Sequence, residues 1–376
     1  MKVVMVGPYP EPGAQVAGGV ERVIDTLLPV LARAVDLTLV VPGASCDAES
    51  TNYGVRTVYL KRGPGPGSMR YWTFDAHRLA RAIEGLKPDI VHLQDVAGVG
   101  RLIRGPAIFT VHGIIDRDLV SSGRGNVWGP LLRRGMAHVM RIVESRGRNR
   151  IGNVILINPY VLEAQPDIGR LRTFAIPNPV DPAFFETVGQ SSVRERRVIS
   201  VGNIGPRKNI LEVLRVAACL MKQDTSLTLV ICGKSVDDAY QQKCLDLIRS
   251  EGLESRISLP GNLAALDLLR LLDKSSCLLM ASRQETAPVA IAEANARGVP
   301  VVAPQSFGIK HMVVPGRNGF FLPAGDLDTQ ASVLRRALEH DWDRAGIAKE
   351  AQQNYDVRRI AEMTISAYGD VLGASH

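Results

Sequence analysis

The chain has 376 residues, of which 45% are hydrophobic and 22% charged, and its formal net charge is +7. These values exclude an intrinsically disordered chain, and the length predicts two domains that each form a core. No apolar run reaches the roughly 20 residues that span a bilayer, and the five cysteines lack zinc-site spacing. We therefore expect a cytoplasmic protein with buried, reduced thiols.

Short apolar runs alternate with amphipathic stretches along the whole chain, which predicts a parallel α/β architecture. The strands predicted in the first half are Lys2–Val6, Leu37–Val41, Val55–Leu60, Ile90–Leu93, Ala107–Val111 and Val154–Ile157. A second series comprises Val198–Val201, Leu227–Ile231, Ile257–Leu259, Ser276–Ala281 and Val299–Ala303. Three prolines in residues 176–182 predict an extended linker between the two series. We place the boundary near residue 190, which gives domains 1–189 and 190–376, with a last helix over about 357–371.

The first predicted strand leads into a glycine-rich loop that ends at Gly18 and Gly19, before an amphipathic helix. Glycines between a strand and a helix let backbone N–H groups approach a phosphate or a sugar hydroxyl. The loop lacks the G-x-G-x-x-G pattern, which argues against a nicotinamide enzyme.

Polar side chains follow other predicted strands at the edge where open parallel sheets bind ligands. His112 follows one strand of the first series, and a histidine there can hydrogen-bond a hydroxyl. Arg207 and Lys208 follow the first strand of the second series, and two cations beside a helix start suit a diphosphate. We expect Asn209 to cap that helix and interpret His92 as structural.

Glu285 and Glu293 lie on either side of a predicted helix start, with Pro288 at the first helical position. The spacing resembles the E-x7-E motif of retaining GT-B glycosyltransferases of family GT4. The resemblance covers nearly the whole chain, because the glycine loop, His112 and Lys208 follow in the family's order. Two positions depart from the family: Asn203 stands at its usual arginine, for which Arg207 is a substitute, and His311 replaces an acid.

The resemblance implies the GT-B fold, in which two Rossmann-like domains face a central cleft and the last helix packs back on the first. The N-terminal domain then serves the acceptor and the C-terminal domain binds the nucleotide sugar. It implies catalytic roles for His112 and Glu285. The implied donor-binding residues are Gly18, Gly19, Arg207, Lys208, Val289, Ala290 and Glu293. The implied nucleobase pocket comprises Gly233, Lys234, Gly261 and Asn262.

The function implied is a retaining, metal-independent glycosyltransferase that uses a UDP- or GDP-linked sugar as its substrate and needs no cofactor. Its acceptor is a carbohydrate or polyprenyl-linked glycan, in the synthesis of a cell-surface polysaccharide. Two alternatives stay open: a nucleotide-sugar 2-epimerase on the same scaffold, and a non-catalytic partner in a glycan assembly complex. We interpret the D-x-D pairs Asp116/Asp118 and Asp326/Asp328 as surface acids and not as metal ligands.

The segment Arg124–Arg150 is rich in arginine, contains Glu144 as its single acid, and has an apolar stripe at helical spacing. Such a helix can lie on an anionic membrane, which would place the protein on the inner face of the cell membrane. An ordinary solvated basic face explains the pattern equally well. Few aromatic residues and no recognition motif argue against a nucleic-acid partner.

Overall fold

The computed structural model describes residues 1–64, 74–121, 130–186 and 194–374. By their contacts these residues divide into two compact units. Unit 1 is drawn from Met1–Asp116, Pro130–Pro179 and Val357–His376, and unit 2 from Arg117–Gly129 and Val180–Asp356. The boundary predicted near residue 190 falls within 187–193, outside the described residues.

Unit 1 is a parallel sheet with one antiparallel strand at its edge. Its strands are β1 (Lys2–Val6), β2 (Asp36–Ala44), β3 (Ala48–Asn52), β4 (Val55–Lys61), β5 (Ile90–Gln94), β6 (Ala107–Val111), β7 (Asn153–Leu156) and β8 (Arg172–Ala175). Its helices are α1 (Gly19–Leu31), α2 (Phe74–Leu86), α3 (Ile115–Ser121, only partly in this unit), α4 (Pro130–Ile151), α5 (Tyr160–Ala164) and, from the end of the chain, α12 (Val357–Gly373). The strand order is β3-β4-β2-β1-β5-β6-β7-β8, in which β3 alone is antiparallel to its neighbour.

The centre of this sheet is buried on both faces. Every residue of β5 and β6 is buried, as expected for central parallel strands that helices cover on both sides. The order β4-β2-β1-β5-β6-β7 is that of a doubly wound sheet, and it reverses between β1 and β5. α12 belongs to this unit although unit 2 precedes it in the chain, and its Tyr368 hydroxyl lies 2.6 Å from His92 Nδ1.

Unit 2 repeats the order of β4-β2-β1-β5-β6-β7, and its described sheet has no counterpart of the edge strands β3 and β8. Its strands are β9 (Arg197–Val201), β10 (Thr228–Cys232), β11 (Ile257–Gly261), β12 (Cys277–Leu279), β13 (Val301–Pro304) and β14 (Gly319–Leu322). Its helices are α6 (Ile210–Met221), α7 (Asp238–Ser250), α8 (Ala265–Lys274), α9 (Val289–Ala296), α10 (Leu327–Glu339) and α11 (Arg344–Tyr355). The order β11-β10-β9-β12-β13-β14 reverses between β9 and β12, which fixes where a ligand site is expected.

Two apolar cores lie on opposite faces of the unit 2 sheet, because strand side chains alternate. Val198 and Leu229 belong to one core, while their chain neighbours Ile199 and Val230 belong to the other. The α/β class with two Rossmann-like units predicted from the sequence is confirmed. Among the described residues, no helix is both long and apolar enough to span a bilayer.

Candidate functional site

A buried ion pair joins the loops that follow β9 and β12, at the point where the strand order of unit 2 reverses. Glu285 is 5% exposed, and its Oε1 lies 2.5 Å from Lys208 Nζ. Arg207 approaches the other carboxylate oxygen at 3.5 Å and also donates to the Gln284 carbonyl oxygen at 3.1 Å. Arg207 therefore stands beside Lys208 at the same carboxylate.

The charge of Glu285 is maintained by these two cations. Burial raises the pKa of the Glu285 carboxyl. The positive charges of Lys208 and then Arg207 lower it by more than burial raises it, so the resulting pKa lies below its ordinary value. A hydrogen bond from Ser282 adds to this effect. The result is an ionised carboxylate in a site from which most water is excluded.

Backbone hydrogen bonds hold this arrangement from two sides. Arg283 N–H donates to the Arg207 carbonyl oxygen at 2.9 Å, and Gly308 N–H donates to the Glu285 carbonyl oxygen at 3.0 Å. The segment 307–311, where the sequence departs from the family, thus supports Glu285 through its main chain. His311, which replaces the family acid, is exposed.

Three glycines bring the carboxyl ends of β9, β10 and β11 into direct backbone contact. Gly202 N–H donates to the Cys232 carbonyl oxygen, and Gly233 N–H donates to that of Gly261, both at 2.8 Å. A Cβ on Gly233 would lie 2.2 Å from the Gly202 oxygen, so no side chain fits. Of the two neighbouring positions in the predicted nucleobase pocket, Lys234 is exposed and Asn262 half-buried.

Helix α9 presents its N-terminus in the same loop region. It begins at Val289 after the N-cap Pro288, which provides no side-chain cap. The first N–H groups of a helix lack intrahelical acceptors and favour an anion, and the phosphate contact of Val289 and Ala290 stays a prediction. Glu293, within this helix, is 3% exposed. The burial of both Glu285 and Glu293 excludes the interpretation of this motif as a solvated helix with two surface acids.

The glycine loop of unit 1 is closed by the Glu21 side chain at the start of α1. Glu21 Oε2 accepts from the N–H groups of Ala17 at 2.8 Å and Gly18 at 3.0 Å. The Gly18 N–H therefore donates to Glu21 in this structure. A Cβ at Gly19 would meet no neighbouring atom. The expected capping of α6 by Asn209 is wrong, because Asn209 makes no side-chain cap and instead accepts from Arg283 at 3.3 Å.

His92 and His112 of unit 1 lie on neighbouring strands or just beyond them. His112 Nε2 is 2.6 Å from Gln94 Oε1, and its backbone N–H donates to Asp95 at 3.2 Å. The residue is half-buried, and desolvation lowers the pKa of its imidazole to about 3. His92 is fully buried between the hydroxyls of Tyr368 and Thr110, and burial lowers its pKa to about 3 as well. Gln94 is not part of any sequence motif, and only its position two residues after His92 points to it.

The D-x-D pairs have structural contacts. Asp326 caps α10 by accepting from Thr329 N–H at 2.8 Å, and Asp116 lies 3.9 Å from Arg141. Across the parts of the chain that the structure describes, no group of three or more His, Cys, Asp or Glu side chains could hold a metal ion. Three cysteines are buried, Cys219 is half-buried and Cys46 is exposed, and all five are free thiols.

The basic segment forms α4, apart from residues 122–129, which lie outside the described part. Arg148 is 1% exposed and pairs with Glu144 at 2.5 Å, so it does not contribute to a surface. Arg141, Arg146 and Arg150 are exposed. Val139 and Ile142 stand among them at 57% and 39% exposure. The structure does not describe the side chains of Arg133 and Arg134.

Comparison with known proteins gives matches along most of the chain. A model described as "Glycosyl transferases group 1" matches residues 185–354, and one described as "Glycosyltransferase Family 4" matches residues 17–184. A GDP-mannose-dependent alpha-mannosyltransferase of Mycobacterium tuberculosis is 25% identical over 288 residues, covering 72% of this chain and 70% of the relative.

Solved structures show the same fold. A sucrose-phosphate synthase from Thermosynechococcus elongatus superposes with a TM-score of 0.78 at 17% identity and covers 99% of both chains. An Anabaena protein in complex with UDP and glucose gives 0.74 at 18% identity, covering 98% of this chain and 99% of that one.

The low pKa of His92 predicts a loss of stability in acid. Below a pH of about 6.5 the unfolded chain binds a proton that the folded chain excludes, so the free energy of unfolding decreases as the pH falls toward 3. Replacing His92 by Gln should reduce this slope by about 1.4 kcal/mol per pH unit between pH 6 and 4. Urea unfolding at several pH values measures the slope. The exposed His138→Gln variant is the control, and an unchanged slope in His92→Gln would contradict the prediction.

Proposed function

We propose that this chain binds the diphosphate of its sugar donor in unit 2, through Lys208 and Arg207. The chain belongs to the GT4-type GT-B glycosyltransferases and transfers sugar from a nucleotide donor. The observation that carries this proposal is the convergence of both cations on the buried Glu285. This point lies where the order of the unit 2 strands reverses, beside the N-terminus of α9. Cations and a helix N-terminus together suit a diphosphate.

The same groups account for the chemistry. As the bond from the anomeric carbon to the diphosphate breaks, negative charge gathers on the leaving phosphate oxygens. Lys208, Arg207 and the first N–H groups of α9 stabilise that charge in a largely water-excluded site. Ionised Glu285 accepts hydrogen bonds from hydroxyls of the transferred sugar, and Glu293 accepts from the ribose. Protein cations thus serve in place of a divalent metal ion.

The proposed stereochemical course is retention. The leaving phosphate oxygen takes the acceptor's proton on the face from which it departs, so that the acceptor attacks on the same face. His112 is proposed to hydrogen-bond a hydroxyl of the transferred sugar. The nucleobase, from a UDP- or GDP-linked donor, is bound by Gly233, Lys234, Gly261 and Asn262, mainly through their backbone.

Replacing Lys208 by Ala should weaken binding of the free nucleoside diphosphate by about 10- to 100-fold, because a hydrogen bond to a charged group is worth roughly 1.5–3 kcal/mol. Calorimetry with UDP, GDP and ADP measures the affinity. Arg215→Ala is a matched control, because Arg215 is a half-exposed cation of α6 that faces Glu212 at 3.7 Å. Equal affinities in wild type and Lys208→Ala would remove the phosphate role of Lys208.

Replacing Glu285 by Gln should lower kcat by about 30- to 1000-fold, because hydrogen bonds that strengthen in the transition state are worth ~2–4 kcal/mol. The amide can still accept from Lys208, so the melting temperature should change little. The exposed Glu254→Gln is the control. Near-normal transfer by Glu285→Gln would contradict the role. Isomerisation of the donor sugar without any acceptor would instead identify an epimerase.

We further propose a lipid-linked glycan as the acceptor, in cell-surface polysaccharide synthesis at the cytoplasmic face of the membrane. The support is on α4, where apolar Val139 and Ile142 stand among exposed Arg141, Arg146 and Arg150. Apolar side chains flanked by arginine can enter the headgroup region of an anionic bilayer.

The membrane proposal predicts salt-sensitive binding to anionic vesicles. Each arginine near the surface adds about 1 kcal/mol, so replacing Arg141, Arg146 and Arg150 by Gln should lower partitioning by roughly 100-fold. Vesicle sedimentation with and without anionic lipid measures this effect. The matched control replaces the exposed Arg249, Arg270 and Arg317 of unit 2. Equal binding to neutral vesicles, or none at low salt, would favour an acceptor in solution.

A further inference from the structure

Gln94 and His112 form a contact that the proposed mechanism does not yet use. Gln94 is the last residue of β5 and pairs in register with Thr110, two residues before His112. Because strand side chains alternate, Gln94 and His112 share one face of the sheet. Gln94 is 1% exposed, and its Oε1 lies 2.6 Å from His112 Nε2.

The other end of the Gln94 amide shows which way the group faces. Its nitrogen lies 3.9 Å from the sulfur of Met5. A thioether sulfur can only accept a hydrogen bond, so the amide nitrogen belongs beside it and the amide oxygen beside His112. The reversed amide would place two acceptors against each other. An amide oxygen only accepts, and His112 Nε2 must therefore carry the proton.

Two further contacts keep this geometry fixed. A Cβ on Gly7 would lie 2.9 Å from the Gln94 Cβ, so the absence of a side chain at Gly7 leaves the room that Gln94 occupies. The N–H groups of His112 and Gly113 both donate to Asp95 Oδ1, at 3.2 and 3.3 Å. His92 differs, because its partners Tyr368 and Thr110 are hydroxyls that can either donate or accept.

We propose that Gln94 is a positioning residue that holds His112 as the Nε2–H tautomer, so that Nδ1 meets the ligand as a hydrogen-bond acceptor. The ligand group that His112 binds is then a hydrogen-bond donor, namely a hydroxyl. It is not an anionic oxygen or a carbonyl oxygen, which can only accept. Burial disfavours a second proton on the ring and so preserves this role at neutral pH. The identity of that hydroxyl as one of the sugar donor rests on the proposed function.

The tautomer is measured without any substrate, from the ring ¹⁵N chemical shifts of His112. In the wild type, Nε2 should show the shift of a protonated nitrogen and Nδ1 that of an unprotonated one. In Gln94→Met both shifts should move toward the average of two exchanging tautomers. Thr110→Val is the matched control, because it removes a partner of His92 and leaves His112 unchanged. A proton on Nδ1 in the wild type, or shifts unaffected in Gln94→Met, would overturn the proposal.

Transfer kinetics test the acceptor role of Nδ1. An asparagine side chain places its amide near the position of Nδ1, and a glutamine side chain near that of Nε2. His112→Asn should therefore retain about 10-fold more kcat/KM than His112→Gln, the effect of one hydrogen bond. Gln94→Met should lower kcat with little change in KM, and the reverse order of the two His112 variants would overturn the inference. An Nε2–H ring in a protein without transfer activity would contradict the proposed function alone.

Discussion

The site in unit 2 depends on the buried carboxylate of Glu285, which needs a partner of opposite charge. An ionised carboxyl that is 5% exposed is unfavourable without a partner, and Lys208 and Arg207 provide that partner from a loop 77 residues away in sequence. The ion pair therefore fixes the loops after β9 and β12 relative to each other. It also keeps two cations where a diphosphate needs them, so the same contact arranges the loops and the groups that bind.

Unit 1 meets the corresponding constraint by a different route. At the edge of its sheet the neutral amide of Gln94 contacts the His112 imidazole, and Asp95 accepts from the backbone N–H groups of His112 and Gly113. Neutral groups depend on hydrogen-bond direction instead of charge, and at His112 that direction is set by the Gln94 amide oxygen. The two units share a strand order, but they prepare their polar side chains by separate physical means.

The sequence was sufficient to predict the strands whose residues are apolar on both faces. It was also sufficient to predict the order of the motifs that follow these strands. It was insufficient for the edge strands β3, β8 and β14, of which β3 and β8 have no apolar face. Glu285 and Lys208 were both predicted as site residues, but their pairing depends on tertiary structure. The role of the Gly308 amide could not be predicted either, since a backbone contact leaves no mark on residue type.

The membership of α12 in unit 1 has a consequence for the order in which the chain is made. Unit 2 is almost continuous in sequence from Val180, so the ribosome delivers it before the helix that completes unit 1. Domains generally fold as units during synthesis, and unit 2 can therefore reach its native state while His92 still lacks Tyr368. Unit 1 is therefore completed only after unit 2 has been synthesised, and until then nascent unit 1 exposes the apolar surface that α12 will cover.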